Sequence, residues 1–155
     1  MAGTLTSGTI QVSSKLSNKK IALVVSEWNE EITGALDEAA FECLVRHGIK
    51  KKNIIRKSVP GTFELSLGAL WMAEQKKIDA VICLGCVIQG ETPHFDYICQ
   101  AAAYGITEVN LKSRKPVIFG VLTTNTKQQA LDRAGGKHGN KGEEAALTAL
   151  AMLQF

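Results

Sequence analysis

Four short strand-like runs, separated by stretches of helical periodicity, constrain the fold of this chain more than any other feature. Three runs are continuously apolar, namely IALVV (residues 21–25), AVICLG (80–85) and PVIFGVL (116–122), and the fourth is NIIRKSV (53–59). A continuously apolar run of this length is typical of a strand that is buried on both faces. We therefore expect four strands in a parallel sheet.

Helical periodicity fills the gaps between these runs. Glu30 and Glu31 favour a helix N-terminus through the helix dipole, and Gly48 is a natural stop for that first helix. Further helices are predicted near residues 63–71, 95–112, 126–133 and 143–155, and Glu143 and Glu144 lie at the end of the last helix where the dipole favours a negative charge. The order βαβαβαβαα predicts an α/β protein, a three-layer α/β/α sandwich in which helices cover both faces of a four-stranded parallel sheet.

The length of 155 residues indicates one domain, which we place at residues 21–155. Residues 1–20 are rich in Ser, Thr and Gly, so we expect an N-terminal arm that is loose or ordered by a partner. We interpret AGGKHGNKG (134–142) as a flexible surface loop.

Composition argues against several functional classes. No apolar run approaches the roughly 18 residues that a membrane helix needs, so we expect no membrane span. A net charge of +3 without interleaved aromatic residues argues against nucleic-acid binding. The N-terminus lacks the apolar block of a secretory signal, and the four cysteines lie in apolar surroundings, which predicts reduced thiols and a cytoplasmic protein.

The loops that follow the strands are the expected place for a functional site, because ligands bind beyond the carboxyl ends of parallel strands. These loops are SEWN (26–29), VPGTFE (59–64), GCVIQGETPH (85–94) and TTN (123–125). All four are rich in polar or aromatic residues, which predicts a single rim that carries the site.

The cysteines near His94 raise two alternatives that we disfavour. Cys83 and Cys86 match the C-x-x-C pattern of a redox pair, but a reactive cysteine is expected at a helix N-terminus and not in a strand. Strand alternation also places these two side chains on opposite faces of the sheet. With His94 and Cys99 they fit no standard zinc spacing, so we interpret the cysteines as core residues and predict no metal site.

A basic group in the C-terminal third indicates an anionic substrate. Between residues 112 and 141, Asp132 is the only acid opposing the cations Lys112, Arg114, Lys115, Lys127, Arg133, Lys137 and Lys141. Such an excess suits a phosphate. The glycine-rich stretch in this region is not a P-loop, since its glycines and lysines lack the required spacing.

Two rim residues each allow more than one interpretation at this point. His94 has polar neighbours in a strand-end loop, and it is a catalytic group, a helix cap or a surface residue. Trp28 follows a strand directly, and it is either a core residue or an aromatic platform on which a ring stacks.

Four motifs, in order along residues 21–155, resemble those of the lumazine synthases. GCVIQGETPHFDY (85–97) resembles their G-x-[VL]-I-[RK]-G-x-T-x-H-[FY]-[DE]-Y motif, and VPGTFE (59–64) resembles VPG-[SA]-[FWY]-E. RAGGKHGNKGEEAA (133–146) is similar to RAG-[TG]-K-x-GNKG-x-EAA, and SEWNEEIT (26–33) is similar to the family's first strand exit. The four motifs together are specific, whereas each alone is only suggestive.

The resemblance implies a flavodoxin-like fold and an enzyme that condenses 5-amino-6-(D-ribitylamino)uracil with 3,4-dihydroxy-2-butanone 4-phosphate. The products are 6,7-dimethyl-8-ribityllumazine, phosphate and water, in the penultimate step of riboflavin biosynthesis. No metal or organic cofactor is implied.

The resemblance also implies an assembly. It predicts a homopentamer with active sites between adjacent subunits, and association with riboflavin synthase as a further partner. A loop as short as residues 135–142 resembles that of members whose pentamers form an icosahedral sixty-subunit shell. In such a shell, residues 9–12 of the arm would pair with the sheet edge of a neighbouring subunit.

Site residues carry over by position. His94 matches the family's proton-transfer histidine and is therefore the implied catalytic residue. Within one subunit, the implied substrate contacts are Trp28, Asn29, Gly61, Thr62, Phe63, Glu64, Val87 and Ile88, with Glu91 and Thr92 in the phosphate turn. From the adjacent subunit, Phe119 would close the aromatic pocket, Arg133 would bind phosphate and Lys141 would reach the substrates.

Two positions depart from the family pattern. Gln89 stands where many members carry Arg or Lys, and Glu91 stands beside the expected phosphate, where a small or polar residue is frequent. A carboxylate that pointed inward would repel the anion, so we expect the Glu91 side chain to face away.

Two other functions compete with the enzyme. One is a non-catalytic protein that binds a flavin or lumazine on the same scaffold, and the other is a shell whose main role is encapsulation. The histidine and the two cations favour the enzyme, because a pure binding protein has no need of a proton-transfer group. The sequence shows no cargo-binding tail.

Overall fold

Four parallel strands form the central sheet of the structure, a computed structural model that describes residues 13–155. The strands are β1 (Ile21–Ser26), β2 (Ile54–Val59), β3 (Ala80–Ile88) and β4 (Val117–Thr124). They lie in the order β2-β1-β3-β4, and every neighbouring pair is parallel. This confirms the predicted four-stranded parallel sheet.

Helices cover both faces of the sheet, which confirms the three-layer architecture. They are α1 (Glu30–Arg46), α2 (Leu65–Ala73), α3 (His94–Ser113), α4 (Lys127–Asp132) and α5 (Lys141–Met152). Helices α1 and α5 pack together on one face, and α2 and α3 pack together on the other. Within residues 13–155, none of the helices combines the length and the apolar character needed to cross a membrane.

Alternating side chains of the central strands fill two separate hydrophobic clusters. Leu23 and Ile82 are fully buried under α1 and α5, whereas Val24 and Val81 are fully buried under α2 and α3. Because both faces are covered, each position of such a strand must be apolar. This is the physical reason for the continuous apolar runs in the sequence.

The cysteines of β3 belong to these clusters and do not form a joint site. Cys83 lies in the cluster under α2 and α3, and Cys86 lies in the cluster under α1 and α5. Burial raises the pKa of Cys83 to about 12 and that of Cys86 to about 11. Neither side chain is therefore a thiolate near neutral pH, which argues against the redox and zinc alternatives.

The structure differs from the sequence prediction at the end of β3 and in the stretch 134–142. Strand β3 continues to Ile88, beyond the predicted end at Gly85, because β4 extends alongside it to Thr124. The stretch 134–142 was expected to be a flexible loop, and this was wrong. It contains an antiparallel hairpin of β5 (Ala134–Gly136) and β6 (Gly139–Asn140), and α5 begins directly afterwards.

The end of the N-terminal arm packs against its own chain. Residues Ser14–Asn18 form a short 3-10 helix, and Leu16 is buried in the cluster under α1 and α5. The Nζ atom of Lys19 forms an ion pair with Asp79 at 2.9 Å. The predicted pairing of residues 9–12 with a neighbouring subunit lies outside the described residues and stays a prediction.

Helices α1 and α5 approach closely at Gly142. A Cβ atom at this position would clash with the Leu36 carbonyl oxygen, and it would lie 2.9 Å from the Leu36 Cα atom. Both obstacles are backbone atoms, so no side-chain rotation relieves the clash. Only glycine therefore fits where α5 crosses α1.

We predict that Gly142→Ala destabilises the protein by about 1–3 kcal/mol, because overpacking forces the two helix backbones apart. The matched control is Gly34→Ala within α1, where an added Cβ meets nothing within 4 Å. This control should stabilise the protein by about 0.5–1 kcal/mol, since alanine favours the helix. Urea unfolding followed by circular dichroism measures both. Equal midpoints for the two variants would contradict the proposed packing.

Candidate active site

The carboxyl ends of the strands form an uneven rim. The last paired residues of β1 and β3 are Val25 and Leu84, but β3 continues for residues 85–88, paired only with β4. We call residues 85–88 the overhang. Hydrogen-bonded pairing between strands β1 and β3 ends here. In open parallel sheets, ligands bind at the place where neighbouring strands separate in this way.

Trp28 lies on this rim above the turn that follows β2. Its backbone N–H donates to the Pro60 carbonyl (N···O 3.1 Å), and the N–H of Glu27 donates to the Val59 carbonyl (2.9 Å). The segments that follow β1 and β2 therefore stay hydrogen-bonded to each other beyond the strands. The Trp28 side chain is 67% exposed. This excludes the core interpretation and leaves a ring face open to solvent.

Gly61 allows this arrangement because the indole ring lies directly against it. A Cβ atom on Gly61 would come within 2.8 Å of the Trp28 Cε3 atom. The Gly61 N–H also donates to the Glu64 Oε2 atom at 3.0 Å. The turn therefore fixes the aromatic ring and the Glu64 carboxylate as neighbours.

The other residues of this turn differ in their exposure. Thr62 is only 4% exposed, and its Oγ1 atom lies 2.9 Å from the position that a Cβ on Gly85 would occupy. Phe63 is 55% exposed and begins the solvent-facing side of the α2 layer. Gly85 thus admits the Thr62 hydroxyl beneath the overhang, while Phe63 faces outward.

Asn29 links the β1–α1 loop to the overhang. Its backbone is left-handed (φ 61°), and its Nδ2 atom donates to the Cys86 carbonyl at 3.0 Å. That carbonyl lies beyond the last residue of β3 that pairs with β1, so the amide replaces a missing strand partner. The sequence predicted a substrate contact here, and the structure adds a positioning contact that sequence reasoning missed.

His94 is the first residue of α3 and is exposed on the same rim. The N-cap position belongs to Pro93, so the interpretation of His94 as the helix cap was wrong. Glu91 and Thr92 are exposed in the preceding turn. The N-terminus of this 20-residue helix presents unsatisfied N–H groups and the positive end of the helix dipole, which favours an anion near the turn.

Gln89 and Glu91, the two residues that depart from the family pattern, are both exposed in the turn that follows β3. The Gln89 N–H donates to the Thr124 carbonyl (N···O 2.9 Å), which continues the β3–β4 pairing. The Glu91 carboxylate forms no hydrogen bond or ion pair with another residue in the range 13–155. Its exposure is compatible with the expectation that it faces away from a bound anion.

A second group of candidate site residues, charged or aromatic, lies near β4 and the start of α5. Glu144 is buried, and its Oε2 atom accepts from the Arg133 Nη2 atom (3.3 Å) and from the Lys141 Nζ atom (3.2 Å). Its Oε1 atom is buried without a hydrogen-bond partner among the described residues. One carboxylate therefore holds two cations side by side and leaves a net positive charge that suits an anion.

Sequence reasoning missed this role of Glu144. The residue was interpreted only as a favourable charge in the first turn of the last helix, which is also true. Its position among Ala145, Ala146 and Leu147, all buried, was the available signal. A carboxylate on the buried part of a helix needs a charged partner, and the nearest cation in sequence is Lys141.

The seven cations between residues 112 and 141 do not form a single cluster. The Lys115 Nζ atom donates to the Ala73 carbonyl at 2.6 Å, Lys127 pairs with Glu31, and Lys137 pairs with Asp132. Arg133 and Lys141 line one open cleft of about 490 Å³ together with His138 and the end of β4. Phe119 lines the adjacent cleft, which also contains Lys141 and Glu144.

The predicted site residues thus form two groups. The rim cluster consists of Trp28, Asn29, residues 61–64, Val87, Ile88, Glu91, Thr92 and His94. The edge cluster consists of Phe119, Arg133 and Lys141. Phe119 pairs with Cys83, five residues before Ile88, which places it roughly 16 Å down the strands from the end of the overhang. One chain therefore does not bring Phe119 to its own rim cluster.

Chemically, the two clusters complement each other. The rim cluster offers an open aromatic face, a carboxylate and an imidazole, which suit a ring with hydroxyl and amine groups. The edge cluster offers an aromatic ring and paired cations, which suit a phosphate. Together they would hold a heterocycle and a phosphorylated partner.

Known proteins similar to this chain share one description. A family model for 6,7-dimethyl-8-ribityllumazine synthase matches residues 18–155. The chain is 71% identical over 138 residues to the 6,7-dimethyl-8-ribityllumazine synthase of Cytophaga hutchinsonii, with 89% of this chain and 87% of that protein covered. Like-named proteins of Parabacteroides distasonis (56% identical, 90% and 87% covered) and Bacteroides fragilis (54% identical, 88% and 95% covered) are also similar. The chain therefore belongs to the 6,7-dimethyl-8-ribityllumazine synthase family.

Proposed function

We propose that this chain condenses 5-amino-6-(D-ribitylamino)uracil with 3,4-dihydroxy-2-butanone 4-phosphate to give 6,7-dimethyl-8-ribityllumazine, phosphate and water. The observation that carries the proposal is the division of the chemical groups into a rim cluster and an edge cluster that match the two substrates. The close relatives carry the name of this synthase. No metal or organic cofactor takes part in the proposed reaction.

The rim cluster would bind the pyrimidine substrate. The exposed face of Trp28 stacks on the ring, and Val87 and Ile88 at the end of the overhang line its slot. Glu64 lies beside the indole and accepts hydrogen bonds from hydroxyl groups of the ribityl chain, since a carboxylate has several acceptor positions. Asn29 holds the loop that carries Trp28 against the overhang.

The phosphate substrate would bind between the α3 N-terminus and an edge cluster. The Glu91–Thr92 turn supplies N–H groups and a hydroxyl, and Arg133 supplies a planar guanidinium that can contact two phosphate oxygens. Because Phe119 lies roughly 16 Å from the end of the overhang on its own chain, we assign Phe119 to the adjacent subunit. We assign Arg133 and Lys141 to the same subunit because the family resemblance implies it.

The solvent-facing side of α2 and α3 supports an assembly of several copies. Six large residues of α2, α3 and the turn before α2 are between 49% and 76% exposed, namely Phe63, Leu67, Trp71, Tyr97, Tyr104 and Leu111. An exposed apolar face of this kind is typical of a protein interface. We propose that it is covered in a homopentamer.

Higher assembly and cellular context follow from family resemblance. We propose that the pentamers form a sixty-subunit shell, because the hairpin at residues 134–140 is short, and that riboflavin synthase is a partner in the cytoplasm. Light scattering on the purified protein measures the mass. A mass of one pentamer would contradict the shell and leave the active site between subunits intact.

His94 would move protons in the proposed reaction. An amine must form an imine with a ketone, phosphate must leave and the ring must close, and each step transfers a proton near neutral pH. A positioned imidazole contributes about 10²–10⁴-fold to such steps. The remaining acceleration comes from holding two small substrates face to face.

We predict that His94→Ala lowers kcat by about 10²-fold or more and leaves both KM values mostly unchanged, because a proton-transfer group acts chiefly in the transition state. Lumazine fluorescence and phosphate release measure the rate. His47→Ala, which removes a histidine at the C-terminal end of α1, is the control and should keep the parent rate. A His94→Ala variant with the parent rate between about pH 6 and about pH 8 would refute the assignment.

We predict that Arg133→Ala raises the KM for the butanone phosphate by about 10–100-fold, because a charge-assisted hydrogen bond contributes about 1.5–3 kcal/mol. The KM for the pyrimidine substrate should change little. Arg46→Ala is a matched control, since Arg46 pairs with Glu143, the residue next to Glu144, on the α1 side of α5. An unchanged KM in Arg133→Ala would count against the phosphate assignment.

A further inference from the structure

His138 lies in the same cleft as the two cations of the edge cluster. The cleft of about 490 Å³ is lined by His138, Arg133 and Lys141, together with residues 121–124 of β4. Sequence reasoning noted the lysines and the arginine of this region and left out the histidine between them. The family motif leaves this position unspecified, so the resemblance assigns it no role.

The hairpin fixes the position of His138 relative to Arg133. The His138 N–H donates to the Asp132 carbonyl at 2.8 Å, and the Lys141 N–H donates to the Arg133 carbonyl at 2.9 Å. Gly139 follows with a left-handed backbone (φ 79°), which turns the chain back toward α5. The three cleft residues are therefore held on one hydrogen-bonded frame at the end of α4.

The neighbouring charges favour His138 over Lys137 as a contact to an anion. The Lys137 Nζ atom pairs with the Asp132 carboxylate at 3.1 Å, and this lysine does not line the cleft. Hydrogen bonding from Gln128 and from Lys137, together with the charges of Lys137 and His138, lowers the pKa of Asp132. The Asp132 carboxylate therefore lies near His138 as well, and the ion pair with Lys137 offsets its charge. His138 is left exposed toward the cleft.

We propose that His138 is a third binding residue for the phosphate group of the butanone substrate, and that its contribution depends on pH. The inference rests on the proposed function, because it assigns the cleft to that substrate. Arg133 and Lys141 share the Glu144 carboxylate and leave about one net positive charge toward the anion. The ring nitrogens of a histidine here add hydrogen-bond donors, and a protonated ring would add a second positive charge, which suits a phosphate dianion.

The direction of the pH dependence follows from the imidazole. Histidine side chains in general gain positive charge on the acid side of neutrality, whereas arginine and lysine side chains in general keep theirs between about pH 6 and about pH 8. Removing His138 should therefore weaken phosphate binding at acid pH more than at alkaline pH.

The test compares His138→Gln with the parent enzyme at about pH 6 and about pH 8. The ratio of the two KM values for the butanone phosphate should be about 5–10 at the lower pH and near 1 at the higher pH, as expected for one charge-assisted hydrogen bond. The substrate phosphate titrates identically for both proteins, so its own protonation cancels in the ratio. A ratio near 1 at both pH values would overturn the inference.

Two further variants separate a titrating charge from a general effect on the hairpin. His138→Arg keeps a positive charge at both pH values, so it should bind the phosphate substrate more tightly than the parent at the higher pH. Lys137→Gln removes a permanent charge from the neighbouring position, so any change in its KM ratio should be the same at both pH values. A pH-dependent ratio for Lys137→Gln equal to that of His138→Gln would contradict a specific role of His138.

Binding of inorganic phosphate, measured by calorimetry, gives the same comparison without turnover. A parent protein that forms no lumazine but binds phosphate with this pH-dependent ratio would remove the proposed function and keep the anion site. An active parent with a flat ratio for His138→Gln in both measurements would keep the proposed function and remove the role of His138.

Discussion

The pairing of β3 with β4 beyond the end of β1 is the constraint on which the rest of the site depends. Because β1 stops at Ser26 while β3 continues to Ile88, one strand loses its neighbour at the rim. The Asn29 amide supplies a hydrogen-bond partner to the Cys86 carbonyl there. This contact holds the loop that presents Trp28 at the rim.

The same strand geometry separates Phe119 of the edge cluster from the rim cluster. Phe119 lies in register with Cys83, well below the end of the overhang, and the Arg133–Glu144–Lys141 group packs where α5 begins. Each group is rigid for a local reason, since one is tied by backbone pairing and the other by a shared buried carboxylate. In the function proposed above, a site that uses both Phe119 and the rim cluster takes them from different copies of the chain.

Much of this fold was predictable, because burial on both faces of a strand demands uninterrupted apolar residues, as at residues 21–25 and 80–85. The hairpin at residues 134–140 was missed because its order depends on left-handed glycines and on packing against α4, which periodicity does not report. Glu144 was missed because a favourable helix dipole already explained it. The role of Asn29 needed the register between β1 and β3, which only the structure supplies.

The central claim is that each complete site takes His94 from one copy and Arg133 from another. Mixed assemblies of His94→Ala and Arg133→Ala chains, made by co-expression in equal amounts, test it directly. The measurement is the rate of lumazine formation at a butanone phosphate concentration well below the parent KM, where each variant alone is nearly inactive. Random pairing would place an intact His94 opposite an intact Arg133 at about a quarter of the interfaces, so about a quarter of the parent activity should return. Activity no greater than the average of the two separate variants would contradict a site shared between copies.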